Sequence, residues 1–165
     1  MAKNSEFPKT NAMRRLDSAK IKYDIKTYIV DENDLSGIHI ADQIGIPYDQ
    51  CFKTLVAHGD KTGPVVFCIP CHKEIDLKRA ASVTGNKKIE MIHVKDLLQL
   101  TGYIRGGVSP IGMKKKFPTY IDETCLSFDR ITVSSGTKGA QLLLAVAELL
   151  PFVDAKTAAL TQQSL

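Results

Sequence analysis

The chain has 165 residues, 44% of them hydrophobic and 24% charged, which suits one domain with a real core and excludes a disordered or fibrous chain. Lys plus Arg outnumber Asp plus Glu by 22 to 18, and the resulting net charge of +4 leaves a nucleic-acid partner open without requiring one. No apolar run reaches the roughly 18 residues of a membrane span and residues 1–20 hold no signal-peptide core, so the expectation is a cytoplasmic protein with no membrane association and reduced cysteines.

Residues 1–9 are polar and contain Pro8, which predicts a loose N-terminal arm ahead of a single domain at 10–165. Thr10 and Asn11 can cap a helix in which Met13, Leu16 and Ala19 recur at helical spacing. Residues 23–30 read as a strand with Ile25, Thr27 and Ile29 on one face. Ser36 can cap a second helix that carries Ile38, Ala41 and Ile44 and stops at Gly45 and Pro47. The apolar runs 51–57 and 64–69 flank turn residues from His58 to Gly63, which predicts a β-hairpin with a long turn. A helix over 74–84 places Leu77, Ala80 and Ala81 inward and ends at Gly85. A short strand at 89–92 and a helix at 94–100, ended by Gly102, follow. Residues 118–122, 130–134 and 140–145 read as late strands, with a tight polar turn at 134–139 and a final helix from Glu148 that Pro151 would disturb. Strands and helices alternate in no strict βαβ order, so the expected class is α/β (α+β-like), with a mixed, barrel-like sheet surrounded by helices.

Cys68-Ile-Pro-Cys71-His72 has the form of a haem attachment or redox motif. Haem attachment requires export, and a zinc site requires a second ligand pair that Cys51, Cys125 and His39, His58 and His93 do not supply at ligand spacing. The cysteines therefore read as packing residues, and neither a metal nor a cofactor is expected. No nucleophile elbow, phosphate-binding loop or dinucleotide fingerprint occurs. Lys53, inside the apolar stretch Cys51-Phe-Lys-Thr-Leu-Val56, has two readings: an outward charge on an alternating strand, or an ammonium projecting into a pocket to hold a phosphate or carbonyl oxygen. Residues 101–118 hold four glycines, four positive charges and no acid. Glycines there let the backbone approach a ligand and offer N–H groups to an anion or carbonyl; the alternative is a surface loop with a solvated Lys114-Lys115-Lys116 run.

Thr10-Asn-Ala-Met13, Phe52-Lys-Thr-Leu55, Ile75-Asp-Leu-Lys78, Lys87-Lys-Ile-Glu-Met91, Thr101-Gly-Tyr-Ile-Arg-Gly-Gly-Val-Ser-Pro-Ile-Gly112 and Val133-Ser-Ser-Gly136 occur in that order. Together they closely resemble the YbaK proteins, freestanding relatives of the editing domain of bacterial prolyl-tRNA synthetase, over residues 10–150. The resemblance implies a trans-editing deacylase that removes cysteine from mischarged proline tRNA. It puts the family's functional lysine at Lys53, followed by Thr54, and its glycine-x-x-x-proline motif at Gly106 to Pro110, with Gly107 and Ser109 inside it. The pocket tyrosine falls on Tyr28 and the pocket serine on Ser134, with Gly136 in the same turn. The implied chemistry uses no protein nucleophile, metal or cofactor: the substrate thiol attacks its own ester and leaves as a thiolactone. The implied partners are tRNA and prolyl-tRNA synthetase, and a monomer is the simplest state; the charge layout adds Arg105, Lys114, Lys115 and Lys116 as a phosphate-facing rim for tRNA beside the glycine loop. Two alternatives stand beside this: the same fold acting on alanine or another small residue, and a non-catalytic tRNA- or synthetase-binding module. Relatives generally lack the Cys-Ile-Pro-Cys-His stretch, and Lys138 stands where an arginine is usual.

Overall fold

A computed structural model describes residues 7–163. Residues 1–6 of the expected N-terminal arm lie outside the described residues; within 7–9, Phe7 packs on the core and Lys9 pairs with Asp17 at 2.6 Å. Helix α1 (Asn11–Ser18) starts where Thr10 Oγ1 accepts the Met13 N–H, and its Ala12, Met13 and Leu16 are fully buried. A side-chain cap of this kind contributes about 1 kcal/mol. The Thr10 hydroxyl also donates to the Ser135 carbonyl (2.6 Å), so the same cap ties the helix to a turn far along the chain.

Strand β1 (Tyr23–Thr27) is shorter than its sequence pattern predicts. Its ladder with a later strand ends at Thr27, and the Tyr28 N–H turns to the Gly139 carbonyl (2.9 Å). Ile29 therefore leaves the strand, 81% exposed, with its backbone N–H and C=O clasped by the Gln43 amide. Helix α2 (Gly37–Ile44) begins at the Ser36 cap and ends at Gly45 in the left-handed conformation (φ +71). A 3-10 turn (Tyr48–Gln50) leads to β2 (Phe52–Gly59) and β3 (Gly63–Pro70), the expected hairpin. Its turn is held from outside: Asn86 Oδ1 accepts from the Lys61 and Thr62 N–H groups, and Asp60 accepts from those of Lys87 and Lys88.

Helix α3 (Leu77–Thr84) starts three residues later than predicted, because residues 74–76 pair with the C-terminal segment: Asp76 N–H donates to Leu160 O and Gln162 N–H to Glu74 O. Asp76 becomes the cap, and Leu77, expected inside, is 40% exposed at the first helical position. Strand β4 (Ile89–Met91), α4 (Val94–Thr101), β5 (Thr119–Asp122), β6 (Arg130–Ser134), β7 (Ala140–Ala145) and α5 (Val146–Phe152) agree closely with the predicted order. Pro151 sits in the last turn of α5, where it ends the helix rather than breaking it. Strand β8 (Ala155–Ala158) and a 3-10 segment (Glu123–Ser127) carry no clear signal in the sequence.

The strands form two sheets rather than a closed barrel. One is antiparallel, in order β1-β7-β6; the other is mixed, in order β4-β2-β3-β5-β8, with β5 parallel to both neighbours. They meet where Cys51 bridges Thr132 and where the Gln50 amide donates to Arg130 O (2.8 Å). The main core lies between them, around Leu16, Phe52, Val66, Ile121, Ile131 and Leu142. A second cluster fills the far face of the mixed sheet, where Phe67 and Ile69 meet Ala80, Ala81 and Leu160. The middle strand β3 is thus apolar on both faces, which its unbroken Val-Val-Phe-Cys-Ile run encodes.

Candidate functional site

Side chains alternate along β2, so Phe52 enters the core while Lys53 joins Cys51 and Leu55 on the opposite face. Over that part of the fold opens a cavity of about 510 Å³. Its walls come from the start of α2, β2, the segment after β3, the end of β4, α4, the loop after α4 and the facing ends of β6 and β7. Lys53 is half-buried in this cavity, and among the described residues its ammonium meets no carboxylate within ion-pair distance. Thr54, Arg105, Gly106 and Ser134 line the same space. Thr54 Oγ1 lies 3.6 Å from Cys68 Sγ, on the core side.

The loop after α4 is unusual in being buried from Gly107 to Ile111. Thr101 Oγ1 accepts the Tyr103 N–H, the Tyr103 hydroxyl donates to the Ile111 carbonyl, and Ser109 Oγ accepts the Ile111 N–H (3.2 Å). The loop docks on the β6–β7 turn through glycines. A Cβ on Gly107 would lie 3.0 Å from the Thr137 Cα, and one on Gly136 (φ +98) would lie 2.8 Å from the Tyr103 ring. The Gly107 N–H is taken by Ile104 O (2.9 Å), whereas those of Gly106 and Val108, both in the cavity wall, have no acceptor among the described residues. Ser134 Oγ accepts the Gly136 N–H (3.1 Å), which leaves its own proton free to donate. Lys138 lies against Gly106 and reaches Glu32 at 2.9 Å.

Of the other residues named from the sequence, Gly107, Ser109 and Gly136 stand behind the wall as its supports, and Pro110 lines a groove outside this cavity. Tyr28 is half-buried just past the end of β1, where burial pushes its phenol up, and it does not line the cavity. Lys114, Lys115 and Lys116 do not join Arg105; they line a separate groove with Arg15, and Lys116 pairs with Asp154 at 3.3 Å.

Two polar residues of the wall, Gln141 and Glu74, have no counterpart among the residues picked out from the sequence, and a third, His72, figures there only as the end of the Cys-Ile-Pro-Cys-His stretch. Gln141, only 5% exposed, stands opposite Ser134 on β7 and lines the cavity, and among the described residues its side-chain oxygen has no hydrogen-bond partner. A glutamine inside the apolar run Ala140-Gln-Leu-Leu-Leu was the available signal. His72 bonds to Asp49 (3.2 Å) through Nε2, with Nδ1 buried and, among the described residues, without a partner. Glu74 adds the carboxylate of the wall. Among the described residues, no three His, Cys, Asp or Glu side chains gather as metal ligands, and no helix is long and apolar enough to cross a membrane.

The arrangement suits a compact polar ligand end: among the described residues, two cations without an acidic partner (Lys53 and Arg105), two backbone N–H groups without an acceptor, a hydroxyl donor and an orphan amide oxygen belong to residues that line a partly apolar space. Comparison with known proteins narrows this. The chain is 47% identical over 161 residues, 98% of each chain, to EbsC of Enterococcus faecalis (strain ATCC 700802 / V583), described as a candidate Cys-tRNA(Pro)/Cys-tRNA(Cys) deacylase. A solved structure described as a candidate trans-editing enzyme for prolyl tRNA synthetase matches with a TM-score of 0.79 and 25% identity, over 95% of this chain and 100% of that one. A scaffold protein used for epitope grafting shares the fold (TM-score 0.81, 24% identity, 93% of this chain and 96% of that one). Residues 38–152, which hold most of the cavity wall, match the family described as the aminoacyl-tRNA editing domain. With that span and the near full-length relative together, the chain belongs to the aminoacyl-tRNA editing domain family.

Proposed function

We propose that this chain removes cysteine from mischarged Cys-tRNA(Pro), acting in trans. The observation that carries the reading is the cavity in which unpaired Lys53, the open N–H groups of Gly106 and Val108, and Ser134 converge. An aminoacyl ester offers a carbonyl oxygen, a ribose oxygen, an α-ammonium and, for cysteine, a thiol. The two open N–H groups suit the carbonyl oxygen, where negative charge grows as the carbon becomes tetrahedral. Lys53 suits the ribose oxygen or the terminal nucleotide. The orphan Gln141 oxygen suits the α-ammonium, which has three donors, and Ser134 donates beside it.

The wall offers no serine–histidine pair in hydrogen-bond contact, and the step we assign needs none. The substrate sulfur forms a bond to its own carbonyl carbon, the ester C–O bond breaks, and the thiol proton ends on the ribose hydroxyl. The product is a cyclic thiolactone and free tRNA. Holding thiol and ester in reactive geometry makes the attack intramolecular, a contribution on the order of several kcal/mol. In this reading the protein is a cytoplasmic monomer that works alongside prolyl-tRNA synthetase, and Arg105, Lys114, Lys115 and Lys116 meet tRNA phosphates.

The test is to charge proline tRNA with cysteine and follow ester loss. Lys53→Ala is expected to slow it by about a hundredfold, the scale of removing one preorganised electrostatic group. Equal rates for wild type and variant, or no loss above buffer, would sink the reading. Alanyl-tRNA(Pro), which lacks a thiol, is expected to be cleaved slowly; cleavage at the cysteinyl rate would exclude the thiolactone route.

A further inference from the structure

The four cysteines occupy two kinds of place. Cys68 and Cys125 lie in the main core, where burial pushes their thiols up to about 12 and about 11. The Cys-Ile-Pro-Cys stretch is therefore split, because Cys71 does not face Cys68. Phe52 faces Pro70 in the β2–β3 ladder, so Cys51 faces Cys71 one step on, where the Cys71 N–H donates to the Cys51 carbonyl at 2.8 Å.

Directly opposed residues of an antiparallel pair point to the same side, here the side of Lys53, and both cysteines line the cavity. The pair shares one ladder bond, since the Cys51 N–H donates to the Tyr48 carbonyl (3.3 Å), and opposed residues of an antiparallel pair have Cα atoms about 4.5–5.5 Å apart, within the span of about 4.4–6.8 Å that a disulfide bridges. A third element presses on the pair: a Cβ on Gly37, the first residue of α2, would lie 2.5 Å from Cys71 Cβ. The thiols are not equivalent. Cys71 Sγ donates to the Tyr48 carbonyl (3.7 Å), and contact with Cys51 and burial hold its proton on. The same contact pushes the Cys51 thiol down. One sulfur is thus suited to attack and the other to resolve, at the wall of a cavity open to small molecules.

We propose that Cys51 and Cys71 are an oxidisable dithiol site that takes a small hydroperoxide through the cavity and closes to a disulfide. The Cys51 thiolate attacks the O–O bond and keeps one oxygen as a sulfenic acid. The other oxygen leaves as hydroxide and takes up a proton. The Cys71 thiol then attacks the Cys51 sulfur, the S–S bond forms, and the sulfenic oxygen leaves as water. The two thiols give up two electrons, and hydrogen peroxide is reduced to two waters. Closure draws the sulfurs to about 2.05 Å, takes Cys71 off the Tyr48 carbonyl and shifts its packing on α2, in the wall beside Lys53. Displacements of that size near reacting groups reduce rates by about tenfold to a hundredfold, and that is the fall in deacylation expected on oxidation.

The experiment treats the reduced full-length chain with hydrogen peroxide and reads intact mass, disulfide mapping and Cys-tRNA(Pro) deacylation relative to the same untreated protein. The expected result is a loss of two hydrogens, a Cys51–Cys71 bridge, reduced deacylation and recovery with dithiothreitol. Cys71→Ser and, independently, Cys51→Ala abolish the bridge, whereas Cys68→Ser retains it. No mass change, a bridge that maps elsewhere, oxygen adducts on Cys51 without a bridge, or a bridge that leaves deacylation unchanged overturns the proposal. Because the bridge is read by mass, its failure is distinguishable from failure of the deacylase reading.

Discussion

Lys53 and Gln141 show what single residues can reveal about a site. A lysine between Phe52 and Thr54 announced itself by breaking an apolar run, but two readings of it stayed open because composition does not say which way a strand faces. The cavity side was decided by tertiary packing, with Phe52 in the core and Lys53 opposite. Gln141 gave a weaker signal, since one glutamine among leucines also fits a solvent-facing position on a strand. Only the β6–β7 register, which sets it against Ser134, makes it a wall residue. Its lack of a partner leads to a prediction in which stability and function move in opposite directions. Gln141→Met keeps the volume and removes an unsatisfied buried acceptor, so stability is expected to rise by about 1 kcal/mol. Deacylation is expected to fall about tenfold, the equivalent of about 1.4 kcal/mol of ammonium recognition. Urea melts and kcat/KM on Cys-tRNA(Pro) check it; a variant that is less stable and fully active would contradict both halves.

At the scale of elements, the local punctuation carried most of the information. Thr10 and Ser36 begin helices and Gly45, Gly85 and Gly102 end them in left-handed geometry, as their chemistry dictates. The misses were elements whose ends depend on distant chain. Helix α3 starts late because the 160–162 segment takes residues 74–76, and β8 exists because it lies parallel to β5. The hairpin turn is the same kind of case. Its residues were legible, but its clamp was not, because Asp60 reaches forward to the N–H groups of Lys87 and Lys88. Those bonds, the Lys88 N–H foremost, hold the Asp60 carboxyl below its ordinary 3.8. A folded-state value below the unfolded one gives stability that is complete above the unfolded value and is lost as pH falls through the folded one. The stability gap between wild type and Asp60→Ala is therefore expected to be widest near pH 7 and to narrow below about pH 4. Urea midpoints for both proteins across that range test this, and a gap that stays constant to about pH 3 would rule out a charged clamp.

For the whole molecule, the mixed character of the sheet and its helical cover were readable, whereas its division into two sheets was not. Period-two patterns say that a segment is a strand but not that Val66 pairs with Thr119, or that the sheets touch through Cys51 and Thr132. The charge layout follows the same rule. In the sequence, Arg105 and Lys114 to Lys116 form one basic stretch; in the fold they part, with Arg105 in the cavity and the lysines in a groove beside Arg15. One continuous loop thus joins the cavity to a second, basic surface, which suits an aminoacyl end in the first and the phosphates behind it on the second. The two parts are separable by salt. A nucleic-acid contact made through phosphates weakens with salt, with a slope of about 0.7–0.9 in log–log terms for each phosphate neutralised. Lys114→Gln with Lys115→Gln is expected to lower kcat/KM on full-length Cys-tRNA(Pro) and to flatten its salt slope by about 0.7–0.9 for each phosphate that a lysine no longer neutralises. Lys53→Ala, at the residue proposed to act at the ester, is expected to lower the rate while leaving most of that slope intact. Measuring kcat/KM over a salt series for the three proteins decides the matter: an unchanged slope in the double variant removes the lysine groove from tRNA binding and leaves the cavity as the whole of the recognition surface.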